Sequence, residues 1–526
     1  MYDHIVVGAG SAGCVVAARL SENPRAKVLL LEAGKSDAKQ EIRIPAAFSK
    51  LFHSACDWDY RTEPEPATAN RPRYWPRGKV LGGSSSLNAM MYVRGHRSDY
   101  DLWRQAGNAG WSYDDVLPWF RRSEGFCGSG GEPDYHGSEG PLPVASQRSP
   151  NAMTHAFVAA GESLGLKRRD DVNGASQDGV GFTHVNQKNG RRWSAADAFL
   201  RPAMRRQNLT VETDCLVHAV TFDGRRATGV AYARRGAVAR AQAAREVVLC
   251  AGTIGTPQIL MLSGIGPAAA LSGLGIAVVA DVPGVGQNLQ DHLASGATYE
   301  CRRPVSLASA ESLANLARYL MFGRGPLTSN VGEAVAFIRT RDGLAAPDLE
   351  LVFAPAYFME HGAANPPGHG FTVGAVLLRP ESRGWLTLRS RDPAAAPVIR
   401  PNYLSAPADL AALIAGVHYV RRLVAADAFA PYRGNEVWPG SHLVADGPLG
   451  DFIREKCESL YHPVGTCKMG GDPMAVVDER LRVRSVEGLR VADASIMPTI
   501  VGGHTHAAAV MIGEKAADMV AADARA

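Results

Sequence analysis

Residues 2–34, YDHIVVGAGSAGCVVAARLSENPRAKVLLLEAG, decide the fold class. Tyr2 to Val7 reads as a short buried strand that stops at Gly8-Ala9-Gly10-Ser11-Ala12-Gly13. From Ser11 a helical pattern runs to about Ser21, with Pro24 beyond its end, and Lys27 to Leu31 forms a second apolar strand. Glu32 follows 19 positions after Gly13. Strand, glycine turn, helix, strand and acid in this order make a dinucleotide-binding βαβ unit. Gly8 takes the tight turn, Gly10 lets the backbone approach a pyrophosphate, and Gly13 lets helix and strand pack closely. The phosphates would sit at the helix start, by Ser11 and Ala12, where free N–H groups and the dipole favour an anion. Glu32, with Ala33 beside it, is placed to accept hydrogen bonds from an adenosine ribose. A glycine-rich turn without a ligand would not need the second strand and the acid to fall in place as well.

Working outward, a chain of 526 residues exceeds one core and points to two or three domains. Hydrophobic residues at 46% and charged residues at 21% are the proportions of a globular enzyme. The net charge of +4 comes from 56 basic and 52 acidic residues dispersed along the chain, so no nucleic-acid partner is expected. Lys167-Arg168-Arg169 and Arg205-Arg206 read as solvated surface. Eight cysteines form no CxxC pair and no framework, so buried reduced thiols and no metal site are expected. No run of 18 apolar residues exists and the first strand begins at residue 2. The expectation is therefore a cytoplasmic protein with no signal peptide or membrane span, peripheral contact with the inner membrane staying open. Oligomeric state is not legible.

Tyr74 to Gly95, YWPRGKVLGGSSSLNAMMYVRG, sets Gly82-Gly83 before three serines and Asn88. Such a loop exposes backbone N–H groups to a polyanion or to the polar edge of a flavin, or else is a structural turn. Residues 108–150 read as an irregular excursion or lid, rich in Gly, Pro and Ser. Asn208 to Ala233 alternates around Asp223-Gly224 and reads as a β-meander. Arg245 to Cys250 is an apolar strand running into Ala251-Gly252-Thr253-Ile254-Gly255-Thr256-Pro257 and a helix, so residues 195–295 return to the nucleotide-binding sheet. Residues 296–455 change character, with a helix at Leu313 to Met321, strands at Leu349 to Phe353, Phe371 to Leu378 and Trp385 to Leu388, and a helix at Ala408 to Ala425. The reading is an α/β (α+β) protein: a Rossmann-like nucleotide-binding domain with an inserted substrate domain of antiparallel sheet and helices. The first would take residues 1–150, 195–295 and 456–526, the second 151–194 and 296–455.

The last 70 residues hold the chemistry. Tyr461-His462-Pro463-Val464-Gly465-Thr466-Cys467 opens them, and Leu489 to Pro498 is a strand leading into a turn. Gly502-Gly503-His504-Thr505-His506 precedes a helix from Ala507 to Ala524 whose first turns are apolar all round, which argues burial. A buried helix N-terminus after His504 presents N–H groups and positive potential at one point, as a reduced flavin would need.

With these stretches in hand, the sequence resembles the glucose–methanol–choline (GMC) oxidoreductases, FAD-dependent alcohol oxidases and dehydrogenases, over nearly the whole chain. VVGAGSAGC with LLLEAG, RGKVLGGSSSLN, GTIGTPQILMLSGIG, and YHPVGTCKMG followed by VADASIMPTIVGGHTHAAAVMIGEKAAD carry the resemblance. DGVGF, QKNGRRWSAADAFL and PGVGQNLQDH are similar to the bacterial choline, alkanol, polyethylene glycol and sorbose dehydrogenases. The resemblance implies that His462 is the active-site histidine and His504 its partner. That partner is Asn in choline-type members and His in aryl-alcohol and glucose oxidases, a departure that puts the substrate in doubt. His506 stands where near relatives carry a second Asn, facing either the site or the sheet. Leu87 replaces the histidine of covalently flavinylated members, which implies non-covalent FAD. Asn88, Ala89, Met90, Met91, Val217, Asp493, Ala494 and Thr505 are further implied FAD contacts.

Oxidising an alcohol removes a hydroxyl proton and passes the α-carbon's hydride to flavin N5. A histidine near neutrality suits the base. His462 is read as that base, with His504 holding the substrate oxygen. His292, beside Asp291, lacks metal-ligand spacing and reads as structural. A dehydrogenase passing electrons to a quinone or dye is favoured over an oxidase using O2. A hydroxynitrile lyase with non-redox FAD is the alternative from another class. Specificity is expected from residues 296–455 and from loops near residue 60 and at 108–150; Trp58, Tyr60 and Trp438 are available aromatics, but nothing assembles them.

Overall fold

The computed structural model describes residues 1–524. Its first sheet has seven strands. Tyr2–Val7 lies parallel to Val28–Leu31 on one side and to the end of Ala237–Leu249 on the other. Leu209–Glu212 flanks Val28–Leu31, and Leu489–Val491 pairs with Val247 to Leu249, both parallel. Helices cover these strands, so both faces are buried and the sequence runs apolar without alternation, as in Ile5 to Val7 and Val28 to Leu31. Every parallel strand ends at one edge, which brings Gly8, Glu32, Cys250 and Ala492 together. Ligands of open α/β sheets bind at that edge.

The helix Ser11–Leu20 and the terminal helix Thr505–Asp523 pack face to face. Gly513 permits the approach, since a Cβ there would press on the Ala12 carbonyl at 2.8 Å. A two-pronged pair from Arg19 to the buried Glu514, both bonds 2.8 Å, ties the helices. The terminal helix is buried from His506 through Ala517, as its apolar first turns predict.

Two expectations need correction. Leu209–Glu212 belongs to the parallel sheet, and the meander is Cys215–Asp223, Arg226–Arg234 and Ala237–Leu249. The first part of the last strand hides in AVARAQAARE, an alanine–arginine stretch with Val238 as its one β-branched residue. Residues 108–150 are not a lid. They hold the helix Tyr113–Ser123, started by a Ser112–Asp115 capping box, which packs on the terminal helix. Lys515 lies over the rings of Trp111 and Trp119 at 5.2 and 5.8 Å. Tyr113, Val116 and Phe120, spaced i, i+3, i+7, are its buried face, the signal by which this helix could have been read from the sequence.

The second sheet is antiparallel, in the order Arg433–Trp438, Leu293–Cys301, Gly370–Leu377, Leu349–Ala354, Ala334–Ile338, Gly179–Phe182, with Glu458–Ser459 pairing Leu293 and Ala294. One face buries Leu351, Phe353, Phe371 and Val373 beneath the helix Pro407–Ala425, which supplies Leu413, Val417 and Val420. The alternate positions Val352, Ala354, Thr372, Gly374 and Val376 line a cavity shared with the first sheet's ligand edge. Among the described residues no helix is long and apolar enough to cross a membrane.

Candidate active site

The cavity measures about 430 Å³ and runs from the glycine turn to the histidine pair. At one end Gly8 turns with φ +97°, and a Cβ at Gly13 would land on the Gly8 carbonyl. Gly13 therefore packs rather than lines the cavity. Gly82 likewise sits behind the wall, at φ +88°, while Gly83 stacks on Gly10. Gly8, Gly10, Ser11, Ala12 and Gly83 border the space, and a Cβ on Gly10 would meet no protein atom within 4 Å. Glu32 accepts N–H bonds from Ala9 and Gly34, each 2.8 Å, and Ala33 lies beside it. Burial pushes the Glu32 carboxyl up to about 7. A free volume against glycine backbone at a helix start, with a buried acid at the next strand end, fits the pyrophosphate and ribose of FAD.

The remaining implied FAD contacts gather along the same wall. Asn88, Ala89, Met90, Met91, Val217, Asp493, Ala494 and Thr505 all line the cavity. Arg192, fully buried, donates to Asn88 Oδ1 at 2.8 Å and to the Ile42 and Ser85 carbonyls, fixing the serine loop. Asp493 accepts from the Gly252 N–H at 2.8 Å and from Thr256 at 2.6 Å, which joins it to the second glycine–helix unit. His506 Nδ1 bonds Ser11 Oγ at 2.8 Å, so this ring faces the glycine turn, and burial lowers its pKa to about 4. Leu87 is buried on the cavity wall.

At the other end stand His462 and His504, their ring centroids 4.9 Å apart and nearly perpendicular. Reciprocal backbone bonds between Gln290 and Val464, 2.8 and 3.1 Å, pair the QNLQDH stretch with the YHPVGT stretch. Asp291 anchors this crossing. Its Oδ1 accepts the His462 N–H at 2.7 Å, and its Oδ2 accepts from Ser459 at 2.5 Å and from Tyr403. Burial holds this carboxyl up at about 6. His504 caps the terminal helix, its N–H donating to the Val93 carbonyl at 3.0 Å; Gly503 allows the chains to cross because a Cβ would strike the Gly95 nitrogen.

Two neighbours of this pair escaped the sequence reading. His292, read as structural, stands directly against the pair: its Nδ1 lies 3.0 Å from His462 Nδ1. Burial drives the His292 pKa down to about 3 and pushes His462 well below the usual histidine range, with the cationic forms of His504 and His292 opposing its charge. Both rings are thus neutral at pH 7, one donating and the other accepting, and His462 keeps Nε2 for the cavity. Glu350, on the cavity face of Leu349–Ala354 and wholly buried, accepts from His504 Nε2 at 3.0 Å. Its two-residue offset from Val352 was the signal available. Of the specificity segments expected, residues near 60 and several in 296–455 border the cavity and 108–150 do not. One trio, His53, Asp57 and Asp59, has ligand atoms within 4.8 Å of one another. Asp57 is already engaged by Tyr74 and by the N–H groups of His53, Asp59 and Arg77, so this is a turn-fixing carboxylate.

Comparison with known proteins agrees with this geometry. Two GMC oxidoreductase family models match residues 2–294 and 380–513. The chain is 49% identical to an uncharacterized GMC-type oxidoreductase of Mycobacterium tuberculosis, over 98% of this chain and 99% of that one. It is 45% identical to the oxygen-dependent choline dehydrogenase of Brucella anthropi, over 98% and 95%. Among solved structures, pyridoxine 4-oxidase from Mesorbium loti superposes with a TM-score of 0.90 at 35% identity, over 98% of this chain and 99% of that one. The chain belongs to the GMC oxidoreductases and is an FAD-dependent oxidoreductase of the alcohol/choline type.

Proposed function

We propose that the protein oxidises a primary alcohol to the aldehyde and hands the electrons to a quinone-like carrier rather than to O2. The observation that carries the reading is the His462–His504 pair at the end of a cavity whose other end fits FAD. Bound FAD supplies the hydride acceptor. His462, neutral through burial, takes the hydroxyl proton at Nε2, and His292 at 3.0 Å fixes its ring and tautomer. His504, tethered through Nε2 to Glu350, offers its other nitrogen to the substrate oxygen and holds the α-carbon in line. Residues 1–150, 195–295 and 456–526 serve FAD, and 151–194 with 296–455 serve the alcohol.

Phe48, Phe52, Phe358 and Trp438 border the outer cavity, so the alcohol is carried on an apolar or aromatic body. The Brucella relative is named an oxygen-dependent choline dehydrogenase, so its name does not support a carrier other than oxygen; the dehydrogenase reading rests on the motif likeness to the choline, alkanol and sorbose dehydrogenase branch. FAD is held non-covalently, because Leu87 offers no nucleophile at the flavin-facing loop. Eight free cysteines, one of them exposed, suit the cytoplasm. The test is anaerobic mixing with choline, hexanol, benzyl alcohol, sorbose and hydroxymethylfurfural while FAD absorbance is followed, then admission of air. Bleaching by an alcohol, slow recolouring in air and fast recolouring with a quinone dye support the proposal. Fast recolouring with peroxide makes it an oxidase. No bleaching by any alcohol, with cleavage of a cyanohydrin instead, makes it a lyase.

A further inference from the structure

The helix Leu313–Phe322, LANLARYLMF, is packed the wrong way round for a helix of a globular surface. Only Tyr319 is buried, its hydroxyl donating to the Arg43 carbonyl at 3.3 Å, and it sits with Ala310 and Leu327 in a small satellite cluster. Leu313, Leu320, Met321 and Phe322 are 84%, 65%, 67% and 63% exposed, and Leu316 is exposed beside them. Leu313, Leu316 and Leu320 follow the i, i+3, i+7 spacing and form one stripe, widened by Ala314, Ala317 and Met321. Arg318 lies at its edge, Phe322 ends the helix, and Gly323 caps it at φ +58°. An apolar patch of this kind on a soluble surface marks an interaction site.

The charge around the stripe says what covers it. The helix and its flanks, residues 311–325, carry two arginines, Arg318 and Arg324, and a single acid, Glu311, which is paired with Lys50. Arg318 and Arg324 are exposed next to the stripe. The turn at Asn189 and Gly190 packs on Gly323, which places exposed Lys188 and Arg191 at the same end of the helix. A second copy meeting this patch about a twofold axis would set its own basic rim against the same rim. An anionic bilayer instead takes the apolar stripe into its acyl boundary and the cationic rim at its headgroups. We propose that Leu313–Phe322 docks the protein on an anionic phospholipid surface.

The docking has a consequence for the cavity. The helix leads through Pro326–Thr328 to Val331 and Gly332, which line the cavity. Pro326–Thr328 also packs on the Pro45–Leu51 turn, whose Phe48 borders the outer cavity. A docked helix thus holds the cavity's aromatic outer wall close to the lipid surface. This inference does not depend on which alcohol is oxidised.

The test is flotation of the FAD-loaded protein with vesicles of mixed phosphatidylglycerol and phosphatidylcholine, and with phosphatidylcholine alone. The wild type is expected to float with the anionic vesicles and to detach as salt rises. Leu320→Ser/Phe322→Ser should lower partitioning at least roughly tenfold. Arg318→Glu/Arg324→Glu should do the same on anionic vesicles only. Flavin absorbance and turnover of a water-soluble alcohol should stay as in the wild type in both, which separates failed docking from failed folding or a wrong substrate. Wild-type protein that never floats, or variants that float as well as it does, overturns the proposal. So does a wild-type dimer that the apolar variant turns into a monomer without any vesicle binding, because a second copy then covers the face.

Discussion

Replacing Glu350 separates positioning from folding. Its carboxylate is wholly buried, one oxygen accepts from His504 Nε2 at 3.0 Å, and the other has no partner. A hydrogen bond to a charged group contributes about 1.5–3 kcal/mol. If that energy holds His504 on the substrate oxygen, Glu350→Ala slows alcohol-driven flavin reduction by roughly 10- to 150-fold at 1.36 kcal/mol per decade. Glu350→Gln keeps an acceptor but makes a neutral bond of about 1 kcal/mol, so it should lose only roughly 2- to 30-fold. The same change removes an unshared buried charge, so Gln should melt no lower than the wild type. The assay is anaerobic stopped-flow bleaching, with thermal melts and FAD content measured on the same preparations. Wild-type bleaching rates in Glu350→Ala, or a Gln variant that is slower only because it has lost FAD, would refute the positioning role.

Other expectations follow from named atoms. Gly10→Ala should leave apoprotein stability unchanged, since its Cβ meets nothing, yet weaken FAD binding measured by titration of apoprotein; unaltered affinity would remove the pyrophosphate from this turn. Acid precipitation should release all the flavin to the supernatant, because Leu87 cannot bond it covalently; yellow pellets would contradict this. Because His462 is pushed well below 6.5 and must be neutral to act, kcat/KM should fall as pH drops, with its midpoint below pH 6.5. His4, buried with its pKa lowered to about 4 and Nδ1 unpartnered, stays neutral while the unfolded chain takes up a proton below pH 6.5. Stability is therefore lost as pH falls from 6.5 towards 4, and the advantage of His4→Phe in denaturant melts should widen by about 2 kcal/mol between pH 7 and pH 5.

The nucleotide half of the fold was legible because its signals are local. Gly8 to Gly13, Glu32 and the apolar strands each fix their own backbone and burial within 34 residues. Leu209–Glu212 was misplaced because parallel pairing leaves no mark on sequence spacing; Arg245 to Leu249 was read as a strand, but its start at Ala237 was missed because alanine and arginine carry no strand preference. Residues 108–150 looked irregular from their glycines, although Tyr113, Val116 and Phe120 spell a helix face. At the site, His462 and His504 were found through motif context. His292 and Glu350 were not, since each meets its histidine across more than 150 residues. His292 sat in a motif and looked like a scaffold residue; Glu350 sat in a strand that read as core. Contact between separate sheets is a property of the folded chain.

The central claim is that His462 takes the proton as the alcohol's α-hydrogen leaves as hydride. The most direct measurement is anaerobic single-turnover bleaching of FAD in the wild type and in His462→Ala, with an alcohol and its α-dideuterated form. The account predicts bleaching in the wild type slowed several-fold by deuterium, and a loss of several orders of magnitude in His462→Ala with FAD still bound. Bleaching of equal speed in the two proteins would contradict it.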